Sequence, residues 1–146
     1  MYKRLLIATD GTEIAQEALA HGLKLAKAVG TETTVITVTM PWTAVAFGIY
    51  AGTASKDTFD ETALKHASAL LSGASKQASD LGVPCKTLHV ADINPYQAIL
   101  AATEAEGSDL IVVGSHGRRG LERLLIGSET MKLLTHAKLP VLVWRG

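Results

Sequence analysis

The segment Asp109–Ser128, DLIVVGSHGRRGLERLLIGS, decides how the chain reads. It opens on a short apolar run, Asp109–Gly114, with no polar residue alternating inside it. Runs of this kind suit strands covered on both faces, as in a parallel sheet. A glycine-rich loop follows, and a helical pattern then starts at Ser128 and ends near His136. The loop holds four of the chain's 13 glycines: Gly114, Gly117, Gly120 and Gly127.

Outward from this segment the same alternation recurs. Pro140–Arg145 (PVLVWR) and Lys3–Thr9 (KRLLIAT) are further apolar runs. Thr33–Thr39 (TTVITVT) is rich in the β-branched residues that favour strands, and Lys86–Ala91 is a weaker run. Between them, Glu13–Val29 places Ile14, Ala18, Leu19, Leu23, Ala26 and Val29 on one helical face, with Gly30 as a stop. Thr58–Leu81 repeats that pattern and closes at Gly82 and Pro84. Asn94-Pro95 reads as an N-cap followed by proline at the first helical position, opening a helix that runs to about Glu106 before Gly107. The order β-α-β-α-β-α-β-α-β implies an α/β fold. The expected architecture is a doubly wound, five-stranded parallel sheet in the order 3-2-1-4-5 with four helices. With 146 residues, a single domain over residues 1–146 is expected.

Composition narrows the function. Fourteen Lys+Arg balance 14 Asp+Glu, which argues against a nucleic-acid binder or a polybasic membrane-surface protein. The lone Cys85 allows no intramolecular disulfide, and a reducing cytoplasm is the default expectation. The start, MYKRLLIATDG, lacks the long apolar stretch of a secretion signal. The oily stretch Ala44–Gly52 is too short to span a bilayer.

Open α/β sheets bind ligands outside the carboxyl ends of the strands, where the strand order reverses. In the expected topology that crevice lies between the first and fourth strands. Thr9-Asp10-Gly11-Thr12 meets the Gly114–Ser128 loop there. Glycines let backbone N–H groups approach an anion, and a helix beginning at Gly127-Ser128 presents free N–H groups and a positive dipole end. Arg118, Arg119 and Arg123 against Glu122 leave the loop locally basic. The plainer alternative is that these glycines make turns and Ser128 caps its helix. No G-x-x-x-x-G-K-[ST] is present, and no G-x-G-x-x-G follows the first strand. A P-loop and a dinucleotide fingerprint are therefore excluded.

Gly114-x-x-Gly117, nine residues, then Gly127-Ser128 resembles the G-2x-G-9x-G-[ST] motif of the universal stress protein family. The resemblance runs from the opening strand and Asp10 to the closing PVLVWR. It implies a Rossmann-like domain that binds ATP, with Mg²⁺. Asp10 and the backbone of Val38 would hold the adenine, with Ala8 and Thr9 beside them. Gly114 would lie at the ribose, and Gly117, Gly127, Ser128 and the backbone of Glu129 at the phosphates. His116 and Arg118 stand in the same loop and join the expected site. The resemblance also implies a homodimer pairing its last strands, Pro140–Arg145. No catalytic residue is assigned, and no metal ligand is named.

The chain departs from the family pattern at two places. Glu129 follows Ser128, where a small uncharged residue is frequent. A carboxylate there suits the helix dipole but repels phosphates, so Glu129→Ala is expected to tighten ATP binding. Met40–Lys56 is long for a βα loop, and Trp42, Phe47, Ile49 and Tyr50 suggest a lid, a partner surface or cover for the sheet edge. Asp10-x-x-Glu13 resembles a capping box, a role compatible with adenine binding. Glu13 and Glu17 read as a solvated face. The five histidines show no metal spacing, and most read as surface residues. Trp144 points to the covering helices or to the dimer seam. The function expected is an ATP-binding, nucleotide-linked stress regulator. The alternative is a slow ATPase or phosphotransferase at the same site, although no general base stands beside the arginines.

Overall fold

The computed structural model describes residues 1–43, 55–116 and 125–146. Strands β1 (Arg4–Ala8), β2 (Glu32–Thr39), β3 (Cys85–Ala91), β4 (Leu110–Gly114) and β5 (Val141–Trp144) form one sheet in the order β3-β2-β1-β4-β5. Every pairing is parallel. Helices α1 (Glu13–Val29), α2 (Lys56–Leu81), α3 (Pro95–Glu106) and α4 (Ser128–His136) alternate with the strands. The expected fold class and strand order are those observed. Boundaries differ by a residue or two. The largest shift is at α2, which begins at Lys56 because the Ser55 hydroxyl accepts the Thr58 N–H and caps the helix there.

The central strands β2, β1 and β4 are buried on both faces, which explains their near-continuous apolar runs. Leu5 and Ile7 of β1 face α1 and α2, packing with Leu19, Leu23, Leu71, Ala74 and Val112. Leu6, between them, faces the opposite layer with Ile36, Ile99, Ile111 and Leu133. That alternation is the two-residue period of a strand. Helix α1 ends at Gly30, whose φ of +69° lets its N–H reach back to the Ala26 and Lys27 carbonyls.

As expected, Asn94 is the N-cap residue of α3 and Pro95 opens the helix, but the Asn94 side chain makes no cap bond. Its own N–H donates to Asp92 Oδ1 at 2.8 Å, and the helix end takes a partner from elsewhere in the chain. Among the described residues, no helix is long and apolar enough to cross a membrane.

At the amino edge of the sheet, Asp109 ties β4 to β1. Its Oδ2 accepts the Lys3 N–H at 2.9 Å, and its Oδ1 accepts the Arg4 N–H at 3.1 Å. Desolvation pushes the Asp109 carboxyl upward. The N–H donors of Lys3 and Arg4, its own amide and the Lys3 charge outweigh that and hold its pKa below the ordinary 3.8. A carboxyl lowered by folding contributes stability that is fully present above its unfolded pKa and lost as pH falls through the folded one. Asp109→Asn is therefore expected to cost about 1 kcal/mol near pH 7, discounted for solvent exposure. Urea unfolding across a pH series should show the full difference at pH 7 and its progressive shrinkage as pH falls below about 4.

Candidate functional site

Because β1 pairs with both β2 and β4, its carboxyl end sits at the point where strand order reverses. From β1 come Ala8, half-buried, and then Thr9, which is buried. The Thr9 N–H donates to the Ile36 carbonyl at 3.0 Å, carrying the ladder one residue past the strand. Asp10 makes a tight turn: its Oδ1 accepts the Thr12 N–H at 3.0 Å and the Thr12 hydroxyl at 2.6 Å. Gly11 adopts φ +83°, and a Cβ there would stand 2.8 Å from Leu70 Cδ2. The turn thus needs glycine for its left-handed backbone, while Leu70 of α2 packs closely over it.

The N-cap of α1 is Thr12, whose hydroxyl accepts the Ala15 N–H at 3.4 Å. This corrects the Asp10–Glu13 capping box. The helix begins at Glu13, so Asp10 lies two residues too early to cap it and instead orients Thr12.

From β4 come Gly114, Ser115 and His116. Gly114 is buried, and a Cβ on it would lie 3.3 Å from Ile14 Cγ2 and 3.4 Å from the Ala15 nitrogen. Its small size lets the first turn of α1 close on the end of β4. Ser115 is 1% exposed; its N–H donates to the Trp144 carbonyl at 2.8 Å and its carbonyl accepts the Gly127 N–H at 2.7 Å. Half-buried His116 places Nδ1 3.1 Å from Ser115 Oγ. Thr130, which the sequence did not single out, donates its buried hydroxyl to the Gly114 carbonyl at 3.0 Å. Only its place in the first turn of α4 could have marked it.

These bonds fix the start of α4 against the end of β4. Gly127 is the N-cap, with φ −61°, and makes no side-chain cap bond. Ser128 is exposed and is the first helical residue, so it does not cap the helix. The first N–H groups of a helix have no carbonyl partner within it, and they carry its positive dipole end. A Cβ on Gly127 would lie 3.0 Å from His116 Cα. The glycine is needed for that close approach, not for a special backbone angle.

Val38, half-buried on β2, faces the layer of α3 and α4. Gly117 and Arg118 lie outside the described residues, as do Arg119, Gly120, Glu122 and Arg123. So do Phe47, Ile49 and Tyr50 of the expected lid. Trp42 is described, and its ring packs 5.5 Å from that of Phe59 at the start of α2.

The Glu129 side chain does not point where the sequence suggested. Its Oε2 accepts the Tyr96 N–H of α3 at 3.2 Å, and its Oε1 accepts Lys132 Nζ at 2.8 Å. Hydrogen bonding and the charge of Glu129 raise the Lys132 ammonium above its ordinary pKa of 10.5. The expected repulsion of phosphates by Glu129 is therefore revised: the carboxylate is paired and spent on the neighbouring helix.

Trp144 turns inward. Its Nε1–H donates to Glu17 Oε2 at 2.8 Å, and its ring stacks 4.6 Å from His21. Glu17 thus has a structural partner and is more than a solvated face. Only His66 and His136 of the five histidines are exposed, and the other three are half-buried. Among the described residues no group of three His, Cys, Asp or Glu is placed to hold a metal ion.

The doubly wound parallel sheet thus brings to its reversal point a helix N-terminus that, among the described residues, has no side-chain cap. A model of the universal stress protein family matches residues 1–145. The chain belongs to the universal stress protein family. Universal stress protein MJ0577 of Methanocaldococcus jannaschii is 31% identical over 156 residues, covering 98% of this chain and 94% of that protein. The solved structure of MJ0577 superposes with a TM-score of 0.83 at 28% identity, covering 99% of this chain and 96% of that one. Two further structures share the fold at lower identity. The universal stress protein of Archaeoglobus fulgidus in complex with dAMP gives a TM-score of 0.70 at 20% identity, covering 98% of each chain. A universal stress protein in complex with cAMP gives 0.68 at 21%, covering 97% of this chain and 95% of that one.

Proposed function

We propose that this chain binds an adenine nucleotide, ATP with Mg²⁺, in the crevice between β1 and β4 and acts as a nucleotide-linked regulator. The observation that carries the reading is the start of α4: Gly127 pinned to Ser115 at 2.7 Å, with no side chain among the described residues capping the helix. Those N–H groups suit phosphate oxygens, and the structures solved with dAMP and with cAMP support an adenine ligand. Asp10 and the Val38 backbone would take the adenine, with Ala8 and Thr9 lining the strand end. Gly114 and His116 would meet the ribose side, and Gly117, Arg118, Gly127, Ser128 and the Glu129 backbone the phosphates. Asp10 is the carboxylate on the β1 side of the crevice, so Mg²⁺ would rest mainly on phosphate oxygens and water, as this ion commonly does.

Binding is expected to act through the elements the site ties together. A ligand at the start of α4 stabilises the Gly127–Ser115–Trp144 chain of backbone bonds, and that chain ends on β5. β5 pairs with β4 on one side and is half-buried along its length. In this reading its outer edge pairs with a second copy, and nucleotide occupancy reaches the dimer seam through Ser115. Cytoplasmic residence completes the proposal.

Thermal unfolding with added ATP and Mg²⁺ tests this reading. A ligand at a hundredfold excess over its Kd adds about 2.7 kcal/mol, a rise in Tm of several degrees for a domain of this size. ATP should raise Tm more than GTP at equal concentration. An unchanged Tm at millimolar ATP would count against the reading.

A further inference from the structure

The acid at position 129 has a task that its position in the sequence hides. Helix α3 begins without a side-chain cap: Asn94 makes no such bond, and Pro95 has no N–H. The first free donor of α3 is the Tyr96 N–H, and it goes to Glu129 Oε2, 33 residues further along the chain. Lys132 closes the arrangement. Its ammonium bonds Glu129 Oε1 at 2.8 Å and stands 5.8 Å from the centre of the Tyr96 ring. His136, one turn on, brings its ring to 5.2 Å from that of Tyr96.

Helices α3 and α4 both run against parallel strands, so both positive ends lie at the carboxyl edge of the sheet. An acid in the first turn of a helix ordinarily favours the N–H groups and dipole of that same helix. Glu129 instead serves the end of α3, and among the described residues no side chain caps the end of α4. We propose that Glu129 is a positioning residue: strapped to the Tyr96 N–H and Lys132, it holds its charge off the α4 N-terminus and so keeps that end available to phosphate. This role rests on the nucleotide reading given above.

The strap predicts which changes matter. Removing Lys132 leaves the carboxylate held by the 3.2 Å bond from the Tyr96 N–H alone, so that it swings more readily toward its own helix end and competes there with phosphate. Removing the charge of Glu129 in the intact protein changes little, because that charge is already held away. Lys132→Met is expected to weaken ATP binding about fivefold and leave adenosine binding within about twofold. Glu129→Gln alone should bind ATP within about twofold of wild type, since its amide oxygen still accepts the Tyr96 N–H. Glu129→Gln added to Lys132→Met should restore ATP affinity, because no charge remains to compete.

Titration calorimetry of the four proteins with ATP and with adenosine decides the matter. Unchanged ATP affinity in Lys132→Met overturns the proposal. So does a loss that Glu129→Gln fails to rescue, which would make Lys132 itself the phosphate contact. A several-fold gain in Glu129→Gln alone also overturns it, because the carboxylate would then be acting on the phosphates. If wild type binds neither ATP nor adenosine, the nucleotide reading falls first and this role with it.

Discussion

Gly127→Val is expected to lower ATP affinity at least a hundredfold. The Cβ of any larger residue would stand 3.0 Å from His116 Cα and 3.3 Å from His116 Cβ, with the Ser115 carbonyl at 3.5 Å. Two of those three atoms belong to backbone, which cannot rotate aside as a side-chain tip can. The start of α4 must therefore give by a few tenths of an ångström for the Cβ alone and further for the two γ-methyls of Val, which strains the 2.7 Å bond from the Gly127 N–H to Ser115. Its free N–H groups then no longer aim at the crevice. A misplacement of about 1 Å at a preorganised site is enough for a loss of this order. Stability should also fall, by about 1–3 kcal/mol as for other overpacked positions. Calorimetric titration with ATP, beside circular dichroism to confirm a folded chain, separates the two effects. Binding retained within threefold would show that the helix start does not hold the phosphates.

The second large effect concerns the scaffold under the site. Gly22 lies in the middle of α1, where a Cβ would meet Ile7 Cδ1 at 2.8 Å and Val112 Cγ1 at 3.3 Å. Ile7 and Val112 are wholly buried and belong to paired strands β1 and β4. Gly22→Leu adds four heavy atoms where there is room for none, and should cost about 3 kcal/mol or more. At this chain length that is a fall in Tm of roughly 10 °C. Gly73→Ala in α2 is the control. A Cβ there meets nothing within 4 Å, and replacing a mid-helix glycine should add about 0.5–1 kcal/mol. A loss below 1 kcal/mol in Gly22→Leu would mean that α1 can lift off the sheet at little cost.

These two glycines also mark where sequence reading stops. The apolar runs at Leu5–Ile7 and Leu110–Val113 announce doubly covered strands, because burial on both faces leaves no polar alternation. The helices between them are legible from their period and their glycine stops. Strand order then follows from crossover handedness. Gly22 carries no such signal, since only the closeness of α1 to Ile7 explains it. In the sequence, Gly114 and Gly127 suggest openings for an anion. Their first physical reason is close packing, of α1 on one and of His116 on the other.

Side-chain direction was the least legible feature. Glu129 in a first turn suggests an acid facing its own helix end, and no local pattern says that α3 lacks a cap and takes it instead. Trp144 and Glu17 are 127 residues apart, and only the sheet register brings them together. The cap of α1 was nearer to hand. With the helix starting at Glu13, the threonine just before it is the natural N-cap, and Asp10 shapes the turn by accepting from Thr12.

The central claim is that an adenine nucleotide sits at the carboxyl ends of β1 and β4, against the start of α4. A titration of ¹⁵N-labelled protein with ATP and Mg²⁺, followed by amide chemical shifts, tests it most directly. The expected result is saturable shifts at Ala8, Thr9, Asp10, Val38, Gly114, His116, Gly127, Ser128 and Glu129. No shift at millimolar ATP would contradict it. So would shifts gathered at the opposite edge of the sheet, around Ser108, His136 and Lys138.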